Sequence, residues 1–371
     1  MADYDVIVVG GGMIGAAIGY GLARLGQKTA LFDEGDIAFR AARGNFGLVW
    51  VQGKGADCLP YANWTQRSAD IWGRFNRELE DITNIDTGYS RPGGIHLCLN
   101  EQELQQRHAV MDKMLTASNG GFQYEMLDHK ALAKRLPEIG PTVAGGSYCP
   151  LDGHVNPLYL LRSLHGAFKA KGGHRPAGMV VDVKWKAGAF EVTTANATHT
   201  AGKIVLAAGL SNLQLAPKVG LNVPVRPQRG QILVTEKLRP FMNYPTIYTR
   251  QTQEGSVLLG DSHEDVGFDD GTSVNVMHAI AQRAGQLFPC LKQARIVRSW
   301  GALRVLTPDG LPVYDQSEQC PGAFSASAHS GVTLAAAHAL DLAVYVVEGK
   351  LPASLDALSE RRFHVHENNV R

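Results

Sequence analysis

The 371-residue chain is long enough for two domains and a sizeable core, and its 36 Lys and Arg balance 35 Asp and Glu. That balance excludes a surface field of one sign, so nucleic acid and anionic lipid are poor partners and a small polar or zwitterionic molecule is a better one. Five cysteines, widely spaced and without a Cys-x-x-Cys pair, argue against a zinc site or iron–sulfur cluster held by this chain alone and read as cytosolic thiols.

Met1-Ala2-Asp3-Tyr4 leads directly into an apolar run rather than into a basic region, so no signal peptide is expected and a cytoplasmic location is. The run Val6-Ile7-Val8-Val9 reads as a buried parallel strand that empties into Gly10-x-Gly12-x-x-Gly15 as the spacing turns helical. In such a turn the first glycine permits the tight bend and the second lets backbone N–H groups approach a pyrophosphate. The third lets the helix lie close on the strand, and its N-terminus supplies partial positive charge. Met13 and Ile14 open that helix, Gly26 stops it, and residues 28–32 give a second strand. Asp33 stands at its end, where an acid accepts the ribose hydroxyls of an adenosine, with Glu34 beside it.

The stretch Arg40-Ala41-Ala42-Arg43-Gly44-Asn45-Phe46-Gly47-Leu48-Val49-Trp50 is too rich in small residues for an amphipathic helix and too apolar for a solvated loop. It is expected to run along a long cofactor, with Arg40 or Arg43 facing the pyrophosphate. Residues 63–79 have helical spacing, 93–99 read as a strand, and 101–115 as a surface helix. Asn156 caps a helix that begins at Pro157 and buries Leu158, Leu161, Leu164 and Phe168. Two short strands follow, 180–183 and 190–194, the first opening at Val180. Then Ile204-Val205-Leu206-Ala207-Ala208-Gly209 repeats the opening logic and brings backbone to the cofactor a second time. Short alternating strands at 225–234, 247–250 and 256–260 argue for an antiparallel sheet roofing a pocket. Finally, Ala328-His329-Ser330-Gly331-Val332-Thr333 turns into a helix over 334–347, too short for the roughly 20 residues a membrane span needs. Such a helix start is rich in N–H groups, which in a flavoprotein would stabilise negative charge on the reduced ring.

With these blocks in place the chain resembles the glycine oxidase/D-amino-acid oxidase superfamily of FAD-dependent amine oxidoreductases. The blocks are the opening turn, Arg43-Gly44-Asn45-Phe46-Gly47, Asp152-Gly153-His154-Val155-Asn156-Pro157, Ala207-Ala208-Gly209, Arg229-Gly230-Gln231, Trp300-Gly301-Ala302-Leu303-Arg304 with Pro308-Asp309-Gly310, and His329-Ser330-Gly331-Val332-Thr333-Leu334. Within it, the wording of residues 44–53 and 329–334 is most similar to the flavin-bearing subunit of heteromeric opine oxidases/dehydrogenases and D-hydroxyproline dehydrogenases. The resemblance implies an α/β fold with an α+β substrate portion. A discontinuous Rossmann-like FAD-binding domain would span residues 1–85, 150–218 and 300–371, and an antiparallel-sheet substrate domain 86–149 and 219–299. It implies non-covalent FAD, a second flavin, FMN, between subunits, and partner subunits carrying iron–sulfur or electron-transfer function. The cysteine that tethers flavin in monomeric sarcosine oxidases has no counterpart here; His154 is the alternative attachment point.

The resemblance also carries a carboxylate-binding arginine onto Arg304, whose planar fork pairs bidentately with a substrate carboxylate. Tyr248, Arg250 and His263 lie on or beside the sheet and are weaker pocket candidates. The expected reaction is oxidation of the C–N bond of an opine, D-amino acid or imino acid by hydride transfer from Cα. The alternatives are a stand-alone oxygen-using oxidase of glycine, sarcosine or a D-amino acid, a flavin-binding scaffold without turnover, and an NAD-binding Rossmann enzyme. His329-Ser330-Gly331 is more compact than in many members, which predicts that this block contacts the re face of the flavin differently.

Overall fold

The computed structural model of the protein describes residues 2–35 and 41–364. Its first strand, Tyr4–Val9, lies at the heart of a seven-stranded sheet and pairs in parallel with Thr29–Phe32 on one side and Thr198–Leu206 on the other. Ala323–Ser327 continues the parallel order, Val313–Gln316 closes that edge antiparallel, and the hairpin Val180–Lys186/Ala189–Thr194 extends from Thr198–Leu206. An unbroken apolar strand is what a sheet covered on both faces requires. Val6 and Val8 enter one core cluster beneath the helices, whereas Ile7 and Val9 enter another beneath the hairpin side.

On the helical face lie Met13–Arg24, Leu59–Thr83 and Pro157–Ala170. The Asn156 side chain accepts from the Leu158 and Tyr159 amides, as a cap should. The buried stripe of that helix runs through Leu160, Leu161, Leu164, Ala167 and Phe168, while Leu158, expected in it, is 53% exposed. The stripe follows the i, i+3, i+4 rows from Pro157, and Leu158 falls off them. The C-terminal helix differs too: Ala335–Ala337 and Ala343–Glu348 are separated by a π turn, His338–Leu342.

Arg226–Lys237, Ile296–Leu306, Ser256–Leu259 and Thr249–Gln251 form a four-stranded antiparallel sheet, and Gly94–Cys98, Gly145–Cys149 and Glu125–Asp128 a three-stranded one; a bridge between Ile95 and Thr246 joins them. Their shared core takes in the helix Val274–Leu287, not anticipated from the sequence, through Ile280, Ala284 and Leu287. Arg226–Lys237 and Ile296–Leu306 stay paired from Arg226–Leu306 to Thr235–Ile296. The antiparallel sheet therefore runs past the expected boundary at 299, to Leu306. Among the described residues no helix is long and apolar enough to cross a membrane, and no three His, Cys, Asp or Glu side chains cluster as metal ligands would. All five cysteines are free thiols.

Candidate functional site

Parallel strands present their ligand at their C-terminal ends. Here Val9, Phe32 and Ser327 end three such strands, Ala207 directly follows a fourth, and all line one cavity of about 410 Å³. Gly10 sits at φ +104°, where a side chain is strained, and its Cβ would collide with the Ala207 carbonyl. Gly12 opens onto the cavity, with only the Ala42 methyl near its absent Cβ. Gly15 does not reach the cavity; it lets the helix pack on the Gly10 carbonyl. Met13, Ile14, Glu34, Ala42 and Arg43 line the same space, and so do Val180, Ala208 and Gly209. Arg40 lies outside the described residues.

Asp33 lines the cavity and its carboxylate accepts from the Gly11 amide at 2.6 Å and the Gly35 amide at 3.0 Å, which ties the glycine turn to the end of the second strand. A residue that sequence reasoning missed supports the turn from below. His165 lines the cavity and its Nε2 donates to the Gly11 carbonyl at 2.8 Å, while Nδ1 faces Arg175 at 3.2 Å. Burial, and then the Arg175 charge, pushes this histidine down to about 4, so the ring is neutral near pH 7. The only signal in the sequence was a polar residue beside the buried stripe of an amphipathic helix.

A second cavity of about 230 Å³ lies under the antiparallel sheet and shares Ala41, Asn45, Val305, Ala328 and His329 with the first. The two form one elongated channel that begins at the glycine turn and ends against the antiparallel sheet. The wall is close-packed along its middle: at Gly44 a Cβ would collide with Ala302. These residues fit an extended dinucleotide such as FAD.

The loop 44–52 forms one wall and is clamped from several directions. Asn45 Oδ1 accepts from the Gly47 amide at 2.7 Å, and Gly47, which reaches neither cavity, accepts from Val155 at 2.8 Å. Leu48 pairs with His154, Arg250 Nε donates to the Phe46 carbonyl at 2.8 Å, and Trp300 Nε1 to that of Gly44 at 3.3 Å. Thr333 Oγ1 accepts from the Trp50 amide at 3.1 Å, and buried Asp152 from the Val51 amide at 2.5 Å. Sequence blocks far apart thus meet at one loop. Burial lowers Arg250 to about 10, and burial with the Arg250 charge lowers His154 to about 4; neither residue lines a cavity, and both act behind the loop.

Arg304 lines the second cavity, with Leu48, Ser330, Val332 and Thr333; Gly331 faces the first. A Cβ on Gly230 would lie 2.5 Å from Arg304 Nη2, so that glycine makes room for the guanidinium. Arg304 donates to the Ser262 carbonyl at 2.6 Å, to the Arg229 carbonyl at 3.3 Å and to Asp261 in a short ion pair. Among the described residues three of its N–H groups are thereby engaged and two are left, from the five a guanidinium carries. Asp261, unnoticed in the sequence, lines the cavity too. Burial opposes its ionisation, but the His263 hydrogen bond and the Arg304 charge outweigh it and hold the carboxyl below its ordinary value.

His263 is a correction: it lines neither cavity, is 61% exposed, and supports Asp261 from outside at 2.8 Å. Tyr248 is another. Ile247 and Tyr248 lie in the bend that precedes the strand Thr249–Gln251; Ile247 lines the cavity, whereas the Tyr248 ring packs against the core between the sheets, 4.1 Å from the Arg283 guanidinium. His329 borders both cavities. Its ring is open to cavity space yet enclosed by the chain, and this enclosure, then the charges of Lys54 and Arg304, pushes it down to about 3. Lys54 also lines the second cavity, where its ammonium contacts Ser330 Oγ.

Residues 5–344 match the family model DAO, FAD dependent oxidoreductase. An opine oxidase subunit of Agrobacterium tumefaciens (strain Ach5) is 41% identical over 99% of this chain and 100% of its own length, and its namesake in Rhizobium meliloti 40% identical over the same shares. Glycine oxidase of Geobacillus kaustophilus (strain HTA426) is 28% identical over 88% of each chain. The crystal structure of glycine oxidase from Geobacillus kaustophilus superposes with a TM-score of 0.88 at 27% identity, covering 97% of this chain and 98% of the other. On this sequence, this fold and this channel, the chain belongs to the DAO family of FAD-dependent oxidoreductases.

Proposed function

We propose that the chain oxidises the C–N bond of an amino-acid-type substrate, an opine, a D-amino acid or an imino acid such as D-hydroxyproline, by hydride loss from Cα. The observation that carries this reading is the position of Arg304: a guanidinium with two N–H groups left, in a cavity continuous with the cofactor channel. Bound FAD supplies the hydride acceptor, and the protein supplies orientation and electrostatics. Arg304 takes the substrate carboxylate and so fixes Cα. Asp261 keeps the guanidinium in place and offers negative charge to the amine. Phe46 and Trp50 give the cavity an apolar wall that thins the water around the reacting carbon. His329, neutral at working pH, adds no charge that would compete for the carboxylate.

The full-length match to two proteins named as opine oxidase subunits supports a heteromeric assembly; the proposal adds that the chain works there as a dehydrogenase whose partner subunits carry electrons onward through iron–sulfur centres, with FMN between subunits. A second reading, a stand-alone oxygen-using oxidase, is favoured by the likeness to glycine oxidase. Anaerobic reduction of the purified FAD-loaded chain by a panel of opines, D-amino acids and imino acids tests the reaction. Peroxide release by the chain alone in air separates oxidase from dehydrogenase.

A further inference from the structure

Arg304 spends its Nη1 hydrogens on the Ser262 and Arg229 carbonyls and one Nη2 hydrogen on Asp261. Among the described residues this leaves Nε–H and the second Nη2–H for a substrate carboxylate. A carboxylate on that edge shares Nη2 with Asp261, so a nitrogen on the adjacent carbon comes within reach of the Asp261 carboxylate, which lines the same cavity. Behind Asp261 stands His263. Its Nε2 meets Asp261 Oδ2 at 2.8 Å, its Nδ1 meets Gln228 Oε1 at 2.9 Å, and most of the ring is open to water. An amide oxygen only accepts, so Nδ1 carries a proton and Nε2 is left to face the carboxylate. Asp261 thereby touches the cavity on one side and, through a single ring, bulk solvent on the other. The other charged or titratable groups that act on this pair are Arg304 and His329 on the cavity side and Asp265, bound to Arg226, on the outside.

Resting on the amino-acid oxidoreductase reading above, we infer that Asp261 and His263 carry the proton of the substrate nitrogen out to solvent. An amine near pH 7 is an ammonium, and hydride leaves Cα only when the nitrogen has an electron pair to share with the carbon left behind. One N–H bond therefore breaks first, and its electron pair stays on nitrogen. The proton bonds to Asp261 and moves on to His263 Nε2, while the ring gives its Nδ1 proton to water. Two electrons then leave Cα with the hydride for FAD. Imidazole suits such a relay because one ring nitrogen takes a proton as the other releases one. Asp261 touches the substrate; His263 acts only through Asp261, and Gln228 is a positioning residue that sets which ring nitrogen faces the carboxylate.

The test follows anaerobic flavin reduction of the FAD-loaded protein across neutral and alkaline pH, with D-hydroxyproline, D-alanine and iminodiacetate as probes and FAD content measured for each variant. His263→Ala should slow reduction about tenfold or more near neutral pH. The deficit should close as pH rises and the amine arrives already neutral, and imidazole added to the buffer should restore the rate. His263→Gln, which still hydrogen-bonds Asp261 but does not titrate, should stay slow. Wild-type rates in either variant near neutral pH, a deficit that persists at alkaline pH, or a failure of imidazole to rescue His263→Ala overturns the inference while leaving the oxidoreductase reading intact. A wild-type chain that none of the three amines reduces overturns both.

Discussion

At the scale of single residues, Arg304 is read very differently once its partners are known. The sequence offered an arginine in a block shared with carboxylate-binding enzymes; the structure adds that Asp261 already holds it. Arg304→Ala is therefore expected to weaken carboxylate ligands by about 1.5–3 kcal/mol, as loss of a charged hydrogen bond does, with FAD content unchanged in the flavin spectrum. Arg304→Lys should recover only part of that, because an ammonium does not reproduce the fork. Asp261→Asn has the opposite sign: removing the counter-charge should tighten a monocarboxylate competitor a few-fold, measured by competition against substrate. Asp261 and Lys54 could not be singled out in the sequence, since neither belongs to a periodic stripe or a spaced motif. Tyr248 misled because the strand begins only at Thr249, and the bend at residues 247–248, closed by bonds between Thr246 and Thr249, sets the direction of its ring.

At the scale of elements, the loop 44–52 shapes the channel. Its composition announced a buried path, and the opening strand, turn and helix were legible because each has a local signature. The clamps were not, because Thr333, Arg250, Asp152 and Trp300 reach the loop only through tertiary structure. Thr333→Val keeps the shape but leaves the buried Trp50 amide without its acceptor, and should cost about 1–3 kcal/mol in denaturant unfolding. Gly44→Val places a side chain where the Ala302 methyl lies, and should abolish stable FAD retention on gel filtration. Retention of stoichiometric FAD by that variant would show that the loop yields without affecting the channel. The break in the last helix was equally hidden: buried His338 bonds Tyr314 at 2.7 Å within the π turn, a contact between distant segments.

At the scale of the whole molecule, the parallel sheet and the antiparallel sheet meet along one channel, and the reach of the antiparallel sheet past residue 299 was not legible, because only the pairing of Ile296–Leu306 with Arg226–Lys237 decides it. Burial leaves a pH signature. It lowers His96 and His338 to about 3, and His154 and His165 to about 4. Below the ordinary histidine value of about 6.5 the unfolded chain takes up protons that the folded chain refuses until about pH 4, so stability present at neutral pH is lost as pH falls through that window. Asp152, raised to about 7 by burial, works the other way, but it is a single group. The Tm of the FAD-loaded chain should therefore drop between about pH 7 and pH 5, and a flat profile would contradict this balance of buried groups. The most direct measurement of the central claim is anaerobic mixing of the FAD-loaded chain with opines, D-amino acids and imino acids while its absorption is followed. At least one carboxylate-bearing amine should bleach the flavin with stoichiometric appearance of the imine or, for an acyclic amine, of its hydrolysis products, and Arg304→Ala should slow that reduction. A yellow protein that no such amine reduces would contradict the account.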